Sequence, residues 1–225
     1  MLTFENGPHE THSVAVLDSL KKHKYRATFF LHGEKVAQAF SSLSSSASSV
    51  SLSLSAAASS SAASSSSSSL VRIIRRMVAD GHEIGISSLD SHSWSDLPTN
   101  EIVSKLAVIT MQLSNITGIK PELLIHIRPP NGEQNVRKYA EISKLSGKDV
   151  VMPTLDAKDW EGASSENIVQ KNIIPFCKPG EIVSLRDTLA NTAQAMPLLL
   201  AEFCRQHYEL LTIAEVRSFP DDTPK

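Results

Sequence analysis

Thr3-Phe4-Glu5-Asn6-Gly7-Pro8 is the stretch on which the reading turns. Leu2 to Phe4 is short, apolar and β-prone, and Gly7-Pro8 interrupts it, so it reads as a buried strand that stops at a turn. Side chains at the C-terminal end of such a strand point into the mouth of a barrel or sheet, where α/β enzymes keep their chemistry. Here those side chains are Glu5 and Asn6. The plainer alternative is a capped turn, since Asn before Gly is ordinary turn chemistry.

Outward from this strand, Val14, Val16, Leu17 and Leu20 predict an amphipathic helix over 12–23, with Lys21, Lys22 and His23 at its C-terminal end, where the dipole favours cations. Ala27 to Leu31 reads as a buried strand closed by Gly33, and Glu34 to Phe40 begins a helix. Residues 41–69 are almost only Ser and Ala, with too little apolar area to offset ordering entropy, and are expected to form a flexible, exposed insertion. Beyond it, Leu70 to Met77 carries an apolar face, His82 to Ile86 is a strand, and a helix is expected over 99–115. Strands at 123–127, 150–152, 182–185 and 210–213 are expected to alternate with helices over 133–145, 165–176 and 192–207. About seven such alternations argue for a parallel α/β barrel-like fold in one domain over 1–225, and each candidate cluster follows a strand.

Composition narrows the class. The 225 residues carry 22 Lys and Arg against 24 Asp and Glu, a net charge of −2 that leaves no electrostatic footprint for nucleic acid. No apolar run approaches the roughly 18 residues of a membrane span. The first residues enter a strand directly and no signal peptide is read, which fits a cytosolic protein or a mature form. Cys177 and Cys204 are too far apart for a metal motif and are read as buried thiols. Asn115-Ile116-Thr117 is a glycosylation sequon that matters only in a secreted chain.

Five stretches in order carry a resemblance: Thr3 to Pro8, then Gly85 with the segment after it, Arg128-Pro129-Pro130-Asn131-Gly132, Asp156-Ala157-Lys158-Asp159-Trp160 and Leu185-Arg186-Asp187. They resemble the signature motifs of the polysaccharide deacetylases, the chitin and peptidoglycan deacetylase family, over nearly the whole chain apart from the Ser/Ala tract. The resemblance implies a distorted (β/α) barrel of about seven parallel strands, metal-dependent hydrolysis of N-acetyl groups on chitin-type glycans, and a secreted or cell-wall location. In the family, one Asp of the first motif is the general base. A second Asp and two His hold a divalent metal, usually zinc, and the fifth-motif His protonates the leaving amine.

The departures fall on the working residues. Glu5 stands at the base position, one methylene longer than Asp, and a shift on the order of 1 Å can cost about a hundredfold in rate. Asn6, Ser87 and Ser91 stand at the metal positions, and a neutral amide and hydroxyls are poor zinc ligands. Arg186 stands at the acid position and stays protonated. Arg128, the main-chain N–H of Asn131, Asp159 and Trp160 are retained, and Trp160, Pro130 and Asp187 are expected along the substrate groove.

The expectation is therefore a degraded site without metal cofactor, in which an Arg186–Glu5 pair takes over the charge balance, and a protein that keeps a carbohydrate-binding role. Two alternatives stay open: a working deacetylase with a rearranged site, in which a one-residue slip brings in His92 with Asp90, Asp96 or His9, and an interaction scaffold. His32, His82 and His126 read as hydrogen-bonded packing residues, His23 and His207 as helix-end residues, and Trp94 as either a lesser sugar platform or rim packing. The glycan and the oligomeric state are left open.

Overall fold

In the computed structural model, residues 1–48, 61–90, 92–130 and 135–219 are described, with 44–48 and 61–68 as backbone only. Strand β1 (Leu2–Gly7) is central. It pairs in parallel with β2 (Thr28–Leu31) on one side and with β7 (Val183–Arg186) on the other. Strands β3 (Glu83–Ile86), β4 (His126–Ile127) and β5 (Asp149–Val150) extend the sheet beyond β2, and β6 (Leu155–Asp156) closes the other edge, in the order β5-β4-β3-β2-β1-β7-β6. All pairings are parallel, and the seven strands curl into a half-barrel of the (β/α) type.

The period of two along β1 sorts the molecule into two environments. Leu2 and Phe4 point outward into the main core, where Phe4 stacks on Phe29 with ring centroids 4.9 Å apart. Helices α1 (His12–His23) and α7 (Ala190–Arg205) cover that side with Val16, Leu17, Leu20, Met196, Leu199 and Phe203. Helices α2 (Gly33–Ser48), α3 (Ser61–Ala79) and α4 (Thr99–Thr117) pack as a second group. Thr3 and Glu5 point the other way, into the concave face. Phe30, Val151 and Ile213 form a small separate cluster there. Gly85 is required beneath Phe30, since a Cβ at that position would lie 2.7 Å from the ring.

Most expected elements occur within one or two residues of their expected ends. The Ser/Ala tract begins inside α2 and ends inside α3: residues 41–48 and 61–69 are helical, as Ala and Leu among the Ser permit, and residues 49–60 lie outside the described ones. The expected strand at 210–213 is not one. Thr212 caps helix α8 (Ile213–Arg217), accepting from the Glu215 N–H while the Glu215 carboxylate accepts from the Thr212 N–H, and this capping box overrides the apolar run. The expected strand over 123–127 is reduced to His126–Ile127, because Pro121 opens a 3-10 turn through Leu123. Between β6 and β7 the chain forms a short helix, α6 (Ser165–Asn167), capped by Ser164 and continued by a π-helical stretch Ile168–Ile173. Helix α5 (Val136–Ser146) is capped by Asn135.

Candidate active site

The register Glu5↔Arg186, with Thr3↔Ser184 two residues earlier, puts four polar side chains on the concave face at the sheet's C-terminal end. Arg128 follows β4 and reaches across to them. Its Nη1 donates to Glu5 Oε1 at 3.0 Å and to Thr3 Oγ1 at 2.8 Å, and its Nε donates to the Val151 carbonyl at 3.0 Å. The guanidinium lies 4.1 Å from the centre of the Phe30 ring. Arg128 is fully buried, and that burial pulls its pKa down although Glu5 pulls the other way. The Ser184 hydroxyl donates to the same Glu5 oxygen. Glu5 is thus a buried carboxylate locked by a guanidinium and a hydroxyl, as a positioned base would be.

Arg186 does not pair with Glu5. Its Nη1 donates to Asp159 Oδ1 at 2.7 Å and to Asp156 Oδ1 at 3.3 Å. Asp159 is buried and also accepts from the Arg186 N–H at 2.7 Å and from Thr192 Oγ1 at 2.6 Å. The expected Arg186–Glu5 pair is corrected for a plain reason: the turn after β6 brings two carboxylates to Arg186, and Arg128 already occupies Glu5. Burial opposes the Arg186 charge, but the Asp159 and Asp156 contacts outweigh it and raise its pKa. Trp160 donates through Nε1 to Asp156 Oδ2 at 3.3 Å, and its ring is 57% exposed. Glu5, Arg128, Pro129, Met152, Asp156, Trp160, Ser184 and Arg186 line a groove of about 380 Å³.

Asn6 serves a different cleft. It adopts φ 65°, and the β1–β2 register slips between Glu5 and Gly7. That bend separates neighbouring side chains that a regular strand would merely alternate. The second cleft, about 400 Å³, is lined by Asn6, His32, Glu34, Lys35, Ser88, Asp90, Pro130 and Thr188. Lys35 Nζ donates to the Asn6 carbonyl at 2.8 Å, and burial lowers the Lys35 pKa. His32 Nδ1 is buried without a partner among the described residues, so the packing reading of His32 is replaced by a place at this cleft.

The sites named from sequence divide accordingly. Glu5, Arg128, Asp159, Arg186 and Trp160 come together around the first groove. Pro130 lines the second cleft instead, while its neighbour Pro129 lines the first. Asp187 lines neither groove: it is wholly buried against Gly7, where a Cβ would collide with its carboxylate, and it accepts from the Ser13 hydroxyl. Burial pushes its pKa up to about 6. Ser87 is buried with its hydroxyl unpartnered among the described residues. Ser91 and Asn131 lie outside the described residues.

His92 is an exposed loop residue whose Nδ1 lies 3.1 Å from Asp90 Oδ1, and Asp90 is held in turn by Lys105 Nζ at 2.9 Å. Asp96 is exposed, and His9 stacks on His12. Trp94 is fully buried, which removes it as a sugar platform. His82 and His126 do pack: the Ala27 N–H donates to His82 Nδ1, and His126 pairs with Glu83. Both cysteines are free, and neither is the buried thiol expected: Cys177 is half-buried and Cys204, near the C-terminal end of α7, is exposed.

A catalytic zinc would need charged or imidazole donors. The described metal positions offer the Asn6 amide and the Ser87 hydroxyl, with the Lys35 ammonium bonded to the Asn6 backbone. Among the described residues no group of three or more His, Cys, Asp or Glu is placed to hold a metal ion. The described residues do not fit a divalent metal. Sequence reading missed Ser184 and Lys35. Ser184 was within reach through strand parity with Arg186. Lys35 carried a weaker signal, a cation in the first turn of a helix, where the dipole disfavours it.

Comparison with known proteins locates this architecture. The sequence profile described as polysaccharide deacetylase matches residues 1–150. Peptidoglycan-N-acetylglucosamine deacetylase PgdA of Listeria monocytogenes is 26% identical over 215 residues, which cover 96% of this chain and 38% of that protein. The chain therefore spans well under half the length of that relative. The solved structure of peptidoglycan deacetylase PdaC from Bacillus subtilis superimposes with a TM-score of 0.70 at 24% identity, covering 96% of this chain and 88% of that one. A CE4 family pseudoenzyme from Bacillus anthracis superimposes with a TM-score of 0.72 at 20% identity, covering 95% and 63%. At these identities the solved structures establish the shared fold.

Proposed function

This chain belongs to the polysaccharide deacetylase family, and from that premise we propose that it binds N-acetylated glycans of the peptidoglycan or chitin type without hydrolysing them. The observation that carries the reading is the chemistry on either side of β1. Glu5 is held by Arg128 and Ser184 as a base would be, but the positions beside it present an amide, a hydroxyl and an ammonium where the reaction needs a divalent cation. The Lys35 ammonium near such a position repels a second cation, and of the two carboxylates in that cleft Asp90 is already held by Lys105. Arg186, at the acid position, is bound to Asp159 and has no proton to give at ordinary pH. The groove itself stays open, with an exposed aromatic ring, which supports binding over a purely structural role.

The names of the relatives favour peptidoglycan strands over chitin, and a cell-wall location goes with them. Residues 1–225 are read as one deacetylase-type domain interrupted by the Ser/Ala tract. No described helix is long and apolar enough to cross a membrane. The test pairs acetate release from N-acetylglucosamine oligomers, with zinc or cobalt supplied, with calorimetric binding of the same oligomers. Binding without acetate, lost on Trp160→Ala, is the expected result. Acetate release above background would establish an active deacetylase instead, and absence of binding would leave the scaffold reading.

A further inference from the structure

The first groove carries an imbalance of charge. Glu5 and Asp156 line it with the Arg128 and Arg186 guanidiniums, and Asp159, wholly buried against Arg186, adds a third carboxylate to the two guanidiniums. The remaining charged side chains nearby do not correct it: Lys158 points to Glu161, and Lys35 is bonded to Asn6 on the other cleft. Both guanidiniums are already committed, Arg128 to Glu5 and Arg186 to Asp159. The carboxylates retain capacity. Both contacts to Glu5 use Oε1, which leaves Oε2 to the groove. Asp156 accepts from the Lys158 N–H at 2.9 Å and from Trp160 and Arg186 at 3.3 Å, its side chain is 40% exposed, and a carboxylate has about four acceptor sites. The opposite polarity is also offered once: Arg128 Nη2, on a fully buried side chain at the groove, has no acceptor among the described residues. Trp160 adds a flat apolar face beside them.

A ligand that satisfies all of these has a cationic group for the surplus carboxylate, an oxygen for Arg128, and a ring face for Trp160. We propose that the groove prefers a glycan carrying free, protonated 2-amino sugars over its N-acetylated counterpart, with the ammonium facing Glu5 and Asp156 and the pyranose ring on Trp160. The inference rests on the glycan-binding reading above and names the form of glycan it takes. An acetamide is neutral and leaves the excess carboxylate uncompensated. Charge-assisted hydrogen bonds are roughly twice as strong as neutral ones, so the discrimination comes from one group.

Calorimetry with the glucosamine tetramer and the N-acetylglucosamine tetramer, below the amine pKa and at physiological salt, decides it. The expected result is binding about tenfold or more tighter for the amino form, reduced to near parity by Asp156→Asn and unaffected by Glu122→Gln, an exposed acid outside the groove. Equal binding, or tighter binding of the N-acetylated tetramer, overturns the preference while leaving glycan binding in place. No binding of either tetramer overturns both readings. A loss on Glu122→Gln equal to that on Asp156→Asn would assign the effect to overall charge and overturn the proposed site.

Discussion

Glu5 and Asn6 are sequence neighbours that serve clefts of different character. On the Glu5 side the charged groups pair with one another: guanidinium to carboxylate, hydroxyl to carboxylate, and a second guanidinium to Asp159, with Arg128 Nη2 left without an acceptor among the described residues. On the Asn6 side a lysine ammonium rests on a backbone carbonyl, and a buried imidazole nitrogen has no partner among the described residues. The first cleft keeps an organised, charged architecture. The second mixes the Lys35 ammonium with Glu34 and with Asp90, itself held by Lys105, and among the described residues these do not gather into a metal-holding group.

The sharpest way to break that contrast is to cut the Glu5 side. Arg128→Leu leaves a buried carboxylate without its partner and should cost about 3–5 kcal/mol in urea unfolding. A cost below about 1 kcal/mol would mean that Glu5 is solvated and the lock is cosmetic.

Beneath both clefts, Asp187 should make stability depend on pH. Its folded pKa of about 6 exceeds the unfolded value of about 3.9. The folded state therefore holds the proton more tightly. The neutral form's stabilising contribution is complete below about pH 4 and lost as pH rises through about 6, on the order of 2–3 kcal/mol. Thermal melts across that window should show the decline, and Asp187→Asn should flatten it.

Smaller effects sharpen the comparison. Ser184→Ala removes one hydroxyl from Glu5 and should cost about 1 kcal/mol. Lys35→Met, on the cleft with little tying it together, should shift stability by less than about 1 kcal/mol, because water can replace the ammonium at the Asn6 carbonyl. If Lys35→Met proves as costly as Arg128→Leu, the two clefts are equally load-sharing and the contrast fails.

How much of this was legible beforehand follows from what each residue depends on. The β1 strand, its turn and the concave Glu5 follow from local pattern, because a period of two with a Gly-Pro break needs no tertiary information. Arg128 and Asp159 were legible through the resemblance. The Arg186 partner was not, because it depends on how β6 and the turn after it approach β7, and Asp156 was not weighed as a competitor for the guanidinium. Pro130 and Asp187 were misplaced for a similar reason: a signature motif names residues near a site without saying which of them face it. The 210–213 segment shows a local rule overlooked, since the Thr212–Glu215 capping box is written in the sequence itself.

The most direct measurement of the central claim is zinc content after equilibrium dialysis at neutral pH, read by elemental analysis on the intact chain. The account predicts far less than one zinc per chain, rising toward one when Asn6→Asp, Ser87→His and Ser91→His are introduced together. One tightly held zinc per unmodified chain would contradict it, and would mean that the donors at the end of β1 form a metal site after all.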